Sequence, residues 1–510
     1  MTSGALVLLA LAIPFAAALL IPLAHRRPNL REAITLVAAG ALFATVCLIL
    51  GAVLAGERPA AGTLEVVPNL EIGFLVEPLG MIFACVASTL WILNSIYSIG
   101  YMRGNNEPRQ TSFYVCFAVA LAATMGIAFA ANLFTLFLFY EILTLSTYPL
   151  VTHKGTEAAM RAGRIYLLLL IGTSMTLLLP AIIWTGALAG TLDFVPGGIL
   201  AGKASPALTG VLLGLFAFGI GKAALMPIHY WLPAAMVAPT PVSALLHAVA
   251  VVKAGVFSVT KVVVYVFGID FLAETGASQW LVFVASFTLV VASVVALSKD
   301  NLKARLAYST VSQLSYVVLG AAMVAPASIV AAGMQIAMHA VGKITLFFCA
   351  GAIYTAAHKT EISDMAGIGR AMPVTMIAFL IGAVSIIGLP PLGGAWTKWY
   401  LSLGAVESGD LFVIGVLFVS SLLNIAYLLP IVARGFFMPP RGSEADGETR
   451  IKEAPLACLI PLCITAFLCI FLFFQAGPIQ ALLEEMIVDS QAALAGETDG
   501  GAAELQELQQ

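Results

Sequence analysis

The sequence predicts an all-α polytopic membrane protein with about 14 transmembrane helices, two of them broken, built around two inverted five-helix repeats. Three observations predict this fold: an apolar composition, apolar runs that recur along the chain, and basic residues that alternate between successive loops. The 510 residues are 61% hydrophobic and 10% charged, whereas soluble domains carry roughly 25% charged residues. This composition excludes an ordinary soluble enzyme.

The apolar runs are each about 20 residues long, as a helix needs to cross a bilayer. Residues 1–110 are expected to hold helices 1 to 3, 111–268 the first repeat (helices 4 to 8), 279–436 the second repeat (helices 9 to 13) and 453–477 helix 14. The acidic tail, 478–510, is expected to form a short surface helix followed by disorder. The predicted spans lie at about 4–23, 32–55, 79–100, 112–130, 132–152, 164–187, 208–236, 241–267, 279–298, 303–323, 327–357, 371–406, 410–434 and 454–475.

The loops test this span count, because Lys and Arg are retained on the cytoplasmic side of a membrane. Of the 24 basic residues, 17 lie in loops after odd-numbered spans, whereas only Arg58 and Lys203 lie in loops after even-numbered spans. A miscounted span would have scrambled this alternation. The bias predicts a multi-pass protein of the prokaryotic cell membrane with both termini outside the cytoplasm.

Two spans are too long for a straight crossing and contain helix breakers. Pro227 and Pro233 interrupt the seventh span, and Gly388-Leu-Pro-Pro-Leu-Gly-Gly394 interrupts the twelfth. The breaks lie five spans apart, so the two helices run in opposite directions. Paired breaks in antiparallel spans are typical of inverted repeats that hold ion sites, although ordinary proline kinks are the alternative.

The remaining basic residues lie inside predicted spans, where each central charge costs roughly 2.5–3.5 kcal/mol on insertion scales. Lys261 lies near a helix end, so its ammonium is expected to snorkel to the interface. The other four lie deeper and need compensation. The five lysines are Lys222, Lys253, Lys261, Lys343 and Lys398.

Glu141 is the acid near the middle of the fifth span, with Thr144 and Tyr148 on its helical face. An intramembrane acid with an available lysine indicates a functional site. Lys222 stands at a similar depth, just before the break at Pro227, and is the expected partner. Movement of Glu141 toward or away from Lys222 could load or release a proton; a purely structural ion pair is the alternative.

Two spans each combine a histidine with a lysine. His247 and Lys253 lie in the eighth span, and His339 and Lys343 lie four residues apart on one face of the eleventh. Histidine titrates near neutral pH and can hand protons along a water chain, but a membrane histidine can equally serve as a helix-packing hydrogen bonder.

Lys398 follows the second break and is the repeat counterpart of Lys222. The tenth span carries a polar stripe where the repeat places the counterpart of the Glu141 helix. Such groups suit hydrated proton conduction, although they also join helices. The stripe consists of Ser309, Ser312, Gln313 and Tyr316.

No motif indicates a cofactor, a metal or nucleic acid. The seven cysteines form no C-x-x-C pair, and no basic cluster suits nucleic acid. No nucleophile and base are spaced as in an enzyme acting alone.

Six segments resemble the antiporter-like, proton-conducting membrane subunits shared by Mrp-type Na⁺/H⁺ antiporters, respiratory complex I and membrane-bound hydrogenases. The resemblance covers about residues 70–435. The segments are Phe139-Tyr-Glu141, Gly221-Lys-Ala-Ala-Leu-Met-Pro-Ile-His-Tyr-Trp-Leu-Pro233, Ala238-Pro-Thr-Pro-Val-Ser-Ala-Leu-Leu-His-Ala-Val-Ala-Val-Val-Lys-Ala-Gly255, Asn301-Leu-Lys-Ala-Arg-Leu-Ala-Tyr-Ser-Thr-Val-Ser-Gln313, His339-Ala-Val-Gly-Lys343 and Gly388-Leu-Pro-Pro-Leu-Gly-Gly-Ala-Trp-Thr-Lys398.

The resemblance implies a fourteen-helix core with inverted repeats over spans 4 to 8 and 9 to 13. It also implies that Glu141 and Lys222 are the family's ion pair, Lys253 its central lysine, His339 and Lys343 its bridging pair, and Lys398 its distal lysine. Length and motifs are most similar to the Mrp antiporter D subunit.

The sequence therefore predicts a transporter subunit without a cofactor, in a hetero-oligomeric complex that exchanges protons for a cation, with Na⁺ the expected cation. Two alternatives stay open. The first is a proton-pumping subunit of complex I or a hydrogenase, and the second is the membrane component of an inorganic-carbon uptake complex. The sequence itself distinguishes none of the three.

Overall fold

The computed structural model describes residues 2–67, 70–439 and 451–507. Eleven helices in this part of the chain are long and apolar enough to cross a membrane, judged by length and composition. They are Ser3–Ala24, Pro28–Leu54, Pro78–Gly104, Gln110–Ala128, Leu133–Val151, Glu157–Ala189, Thr240–Phe267, Gln279–Ser298, Pro326–Ala357, Phe412–Phe437 and Leu456–Phe474.

The three other predicted spans are also helical. The tenth is Leu302–Ala322, a continuous but more polar helix. The seventh begins as Pro206–Gly219 and continues as the short helical turns Gly221–Ala223, Ile228–Tyr230, Trp231–Ala234 and Ala235–Val237. The twelfth consists of Pro373–Ile387 and Gly394–Glu407. The all-α polytopic fold with two broken helices is thus confirmed, while the exact repeat boundaries stay a prediction.

Local sequence explains where many spans begin. Proline occupies a first helical position at Pro28, Pro78, Pro206, Pro326 and Pro373, where its missing N–H costs no helical hydrogen bond. Side-chain caps begin other spans. Asn132 Oδ1 accepts from Thr135 N at 2.8 Å, and Asn301 Oδ1 accepts from Ala304 N at 3.1 Å.

The eighth and eleventh spans form the centre of the molecule. Both are buried along the whole of their most apolar stretch, whereas the first and fourteenth spans are 39% and 33% buried. The outer helices therefore shield the central pair from lipid. The central pair carries His247, Lys253, His339 and Lys343, so these polar side chains face protein on all sides.

A β-hairpin, absent from the predicted elements, joins the second and third spans. Strand β1 (Ala60–Val67) pairs antiparallel with strand β2 (Leu70–Leu75). An isolated two-stranded hairpin is marginal in water. Here Leu75 N donates to Phe129 O at 2.8 Å, and Gly73 N donates to Thr135 Oγ1 at 3.1 Å. These tertiary bonds to the fourth and fifth spans stabilise a hairpin that local sequence does not predict.

The acidic tail continues as one helix, Ala476–Glu507. Leu483 and Met486 on this helix are fully buried, and its acids Glu485 and Asp489 pair with Arg58 at 3.0 and 3.3 Å. The expectation of a short helix followed by disorder is therefore wrong for the described residues. The tail packs because apolar residues are interleaved with its acids, and total charge alone does not reveal this spacing.

Candidate functional site

Lys222 lies in the break of the seventh span. The helix ends at Gly219, and the freed backbone groups around Lys222 find side-chain partners: Lys222 N donates to Tyr140 Oη at 3.1 Å, and Trp231 Nε1 donates to Gly221 O at 3.0 Å. Unwound backbone at membrane depth needs such partners, because lipid offers none. The break is thereby fixed against the fifth span.

The Lys222 ammonium is fully buried and contacts neutral groups. Its Nζ donates to Tyr140 O at 2.8 Å and to Thr144 Oγ1 at 2.6 Å, and it lies 3.0 Å from the centroid of the Tyr140 ring. A cation over an aromatic face gains electrostatic stabilisation when water is excluded. Lys222 can therefore hold a proton here without a direct carboxylate partner.

Glu141 does not form the expected ion pair. Its two carboxylate oxygens are buried and lack a hydrogen bond of ordinary geometry, although Lys222 and Ser174 act on it electrostatically. Successive residues of a helix point about 100° apart, so Glu141 faces away from the carbonyl and hydroxyl that Lys222 contacts on the same span. The two residues are neighbours in an open arrangement, and the expectation of direct contact is wrong for this conformation.

Gly255 of the eighth span lies directly against the backbone of Lys222 and Ala223, and a Cβ at Gly255 would overlap that backbone. We expect Gly255→Ala to destabilise the protein by about 1–3 kcal/mol, as overpacking does. The matched control is Gly172→Ala, where the surrounding space is open and the change should be neutral or stabilising. Thermal denaturation of the purified protein in detergent measures both; equal midpoints would contradict this close contact.

Lys253 and His339 form the central contact of the molecule. Lys253 Nζ lies 2.6 Å from His339 Nδ1, and both side chains are buried. One is on the eighth span and the other on the eleventh, so the contact joins the two predicted repeats. Lysine and neutral imidazole at this distance can exchange a proton directly.

His247 lies on the same span as Lys253 but takes no part in this contact. It belongs to a π-helical turn, Leu245–Val249, and its ring lies 4.7 Å from that of Phe347. Neither ring nitrogen has a hydrogen-bond partner among the described residues. Its predicted proton-transfer role stays a prediction.

Lys343 connects the eleventh span to the tenth and thirteenth. Its Nζ donates to Ser309 Oγ at 2.5 Å, and Ser309 Oγ lies 2.7 Å from Tyr427 Oη. Tyr427 Oη in turn donates to Asn424 Oδ1 at 2.5 Å. The polar stripe of the tenth span thus continues a hydrogen-bonded series that starts at Lys343.

Lys398 lies just after the second break. Its Nζ donates to Ile387 O at 2.6 Å and to Ser421 Oγ at 2.6 Å, and it lies 5.4 Å from the centroid of the Tyr316 ring. An aromatic ring thus accompanies the lysine at each break. A cavity of about 10 Å³ touches both Lys398 and His339, which is close to the room that one water needs. Gln313, Tyr316 and Gln335 also line it.

Lys261 does not snorkel. It is fully buried, its Nζ lies 2.8 Å from Glu77 Oε2, and it donates to Ala130 O at 2.7 Å. The snorkelling expectation is wrong because the end of the eighth span is covered by protein. Glu77 is the residue that sequence reasoning missed, although an acid directly before Pro78 and an apolar run was a visible signal.

Comparison with known proteins identifies the family. Residues 130–424 match the model described as "NADH:quinone oxidoreductase/Mrp antiporter, TM", and residues 67–114 match "NADH-Ubiquinone oxidoreductase (complex I), chain 5 N-terminus".

Two curated relatives illustrate the range of the family. The chain is 31% identical to NADH-quinone oxidoreductase subunit N of Desulforudis audaxviator over 78% of its own length and 81% of the relative. It is 29% identical to a Na(+)/H(+) antiporter subunit of Alkalihalophilus pseudofirmus over 84% and 57%. The other curated relatives are longer than this chain, which spans 48% to 66% of them.

Two solved structures share the fold. The archaeal membrane-bound sulfane sulfur reductase superimposes with a TM-score of 0.83 at 23% identity, covering 95% of this chain and 97% of that one. The Mrp complex from Dietzia sp. gives 0.82 at 20% identity with the same coverage. Together with the sequence matches, they show that the chain belongs to the NADH:quinone oxidoreductase/Mrp antiporter family of antiporter-like membrane subunits.

Proposed function

We propose that this chain translocates protons as one subunit of a hetero-oligomeric Na⁺/proton antiporter, in the role of an Mrp-type D subunit. The observation that carries the proposal is the 2.6 Å contact between Lys253 and His339. It connects titratable groups of the two halves within a protein interior where unpaired charge is costly. The subunit would act as a transporter and hold no cofactor.

The proposed path runs along the middle of the membrane. Glu141 approaches Lys222 and stabilises its ammonium, and retreats to release the proton. Lys253 and His247 carry the proton inward, His339 and Lys343 link the halves, and Lys398 exchanges with one side. The cavity beside Lys398 and the hydroxyls that follow Lys343 support the last steps.

The orientation also belongs to the proposal. We infer both termini outside the cytoplasm of a prokaryotic cell membrane, because 17 of 24 basic residues fall in loops after odd-numbered spans. The partners would be other membrane subunits, including those that carry Na⁺.

A second candidate is a proton-pumping subunit of a redox complex, in which electron transfer in a neighbour supplies the energy. The identity to NADH-quinone oxidoreductase subunit N favours it. The co-purifying subunits distinguish the candidates: small antiporter-type membrane subunits support the first, and quinone- or iron–sulfur-bearing subunits support the second. A peripheral zinc protein with Lys222-dependent bicarbonate uptake would indicate an inorganic-carbon complex instead.

Glu141→Gln tests the gate. The amide cannot carry the charge that stabilises the Lys222 ammonium, so we expect proton-coupled Na⁺ efflux in vesicles with the assembled complex to fall by about tenfold or more. The matched control is Glu157→Gln, an exposed acid in the first turn of the sixth span, which should leave efflux unchanged. Wild-type efflux in the Glu141 variant would refute the gate.

A further inference from the structure

The Glu77–Lys261 pair lies apart from the path described above. Glu77 begins the third span and Lys261 lies in the last turns of the eighth. Both residues sit at span ends that the loop charges predict to face away from the cytoplasm. Lys253 lies eight residues before Lys261 on the same span, about 12 Å along a helix axis.

The pair is enclosed on every side that the structure describes. The Lys261 ammonium lies 4.3 Å from the centroid of the Phe194 ring, and the rings of Phe257 and Tyr265 lie within 5.7 and 5.9 Å. Its side chain is 0% exposed, and that of Glu77 is 6% exposed. A fully buried ion pair gives little net stability compared with apolar residues of similar size, so a simple structural role explains it poorly.

A second charged group connects Glu77 to the surface. Val76 N donates to Pro59 O at 2.9 Å, so the residues next to this bond, Arg58 and Glu77, lie beside each other, and the Arg58 charge acts on Glu77. Arg58 pairs with Glu485 and Asp489 of the C-terminal helix.

Charge alternates and exposure rises along this series. Lys261 is fully buried, Glu77 is 6% exposed, Arg58 is 31% exposed, and Glu485 and Asp489 are 43% and 45% exposed. The series therefore leads from the buried end of the eighth span to water.

We infer that Glu77 and Lys261 form a proton-exchange site at the outer face, which extends the path from Lys253; this inference rests on the proposed function. The Lys261 ammonium gives a proton to the Glu77 carboxylate across 2.8 Å, leaving a neutral amine and a carboxylic acid. The acid releases the proton to water beside Arg58, and the amine takes the next proton from the Lys253 side. Arg58, held by the C-terminal helix, favours the carboxylate and thus the release.

The test separates proton exchange from structural pairing. Glu77→Gln alone leaves Lys261 buried without a charged partner and is expected to impair assembly. The double variant Glu77→Gln, Lys261→Gln removes both charges, so neither is left unpaired, and assembly on native gels should recover. Proton translocation by this assembled double variant should stay about tenfold or more below wild type. Translocation that recovers together with assembly would overturn the inference.

Two further variants complete the design. If the double variant does not assemble, Glu77→Asp in the intact complex decides: the shorter acid keeps the charge but lengthens the transfer, so translocation should fall while assembly is normal, and an unchanged rate refutes the site. The matched control is Glu71→Gln, an acid of the nearby hairpin strand β2 outside the series, which should pump normally. Lys222→Met without translocation beside a fully active double variant would overturn this site and leave the proposed function intact.

Discussion

Lys253→Met is expected to lower proton translocation by on the order of a hundredfold. Methionine keeps the length of the side chain, so the buried site stays filled, but it cannot accept or donate a proton. Lys253 Nζ is 2.6 Å from His339 Nδ1, and in the described part of the chain this is the direct contact between titratable groups of the two halves. Its loss interrupts the path at the centre.

The measurement is proton uptake by proteoliposomes that contain the assembled complex, followed with a pH-sensitive dye. The matched control is Lys203→Met, because Lys203 lies on the surface, where its Nζ donates to Ala189 O, and its loss should not alter the rate. Assembled Lys253→Met complex that pumps at the wild-type rate would show that protons bypass the central contact.

Lys222→Arg is expected to reduce translocation nearly as much as Lys222→Met, again by on the order of a hundredfold. Arginine keeps the positive charge but does not release its proton in proteins. A residue that only neutralises Glu141 or stabilises the break tolerates arginine, whereas a residue that carries the proton does not. The pair of variants therefore distinguishes a structural cation from a proton carrier.

Geometry adds to this expectation. The Lys222 ammonium fits between Tyr140 O and Thr144 Oγ1 at 2.8 and 2.6 Å, and the planar guanidinium fork is larger than this position. Assembly of each variant is measured on native gels, so that a loss of rate is read only from intact complex. Lys203→Arg serves as the control. Full activity of Lys222→Arg would assign Lys222 a structural role.

Much of the fold could be predicted because it depends on local sequence. Span positions follow from apolar length, and the breaks follow from Pro227 and from the glycine-proline run at 388–394. The hairpin and the packed C-terminal helix could not be predicted. The hairpin depends on bonds to Phe129 and Thr135, and the helix depends on Arg58, which is more than 400 residues away in sequence.

The sequence by itself determined the membrane fold, the number of spans and which spans carry buried charge, because hydropathy and helix breakers act over a few turns. It also identified Lys253 and His339 as members of one set. Only the tertiary structure decided the partners: Lys222 contacts Tyr140 and Thr144 while Glu141 stands apart, and Lys261 pairs with Glu77. Partners depend on how each helix is rotated about its axis and on which neighbour covers its end, and these are set by packing across the whole molecule.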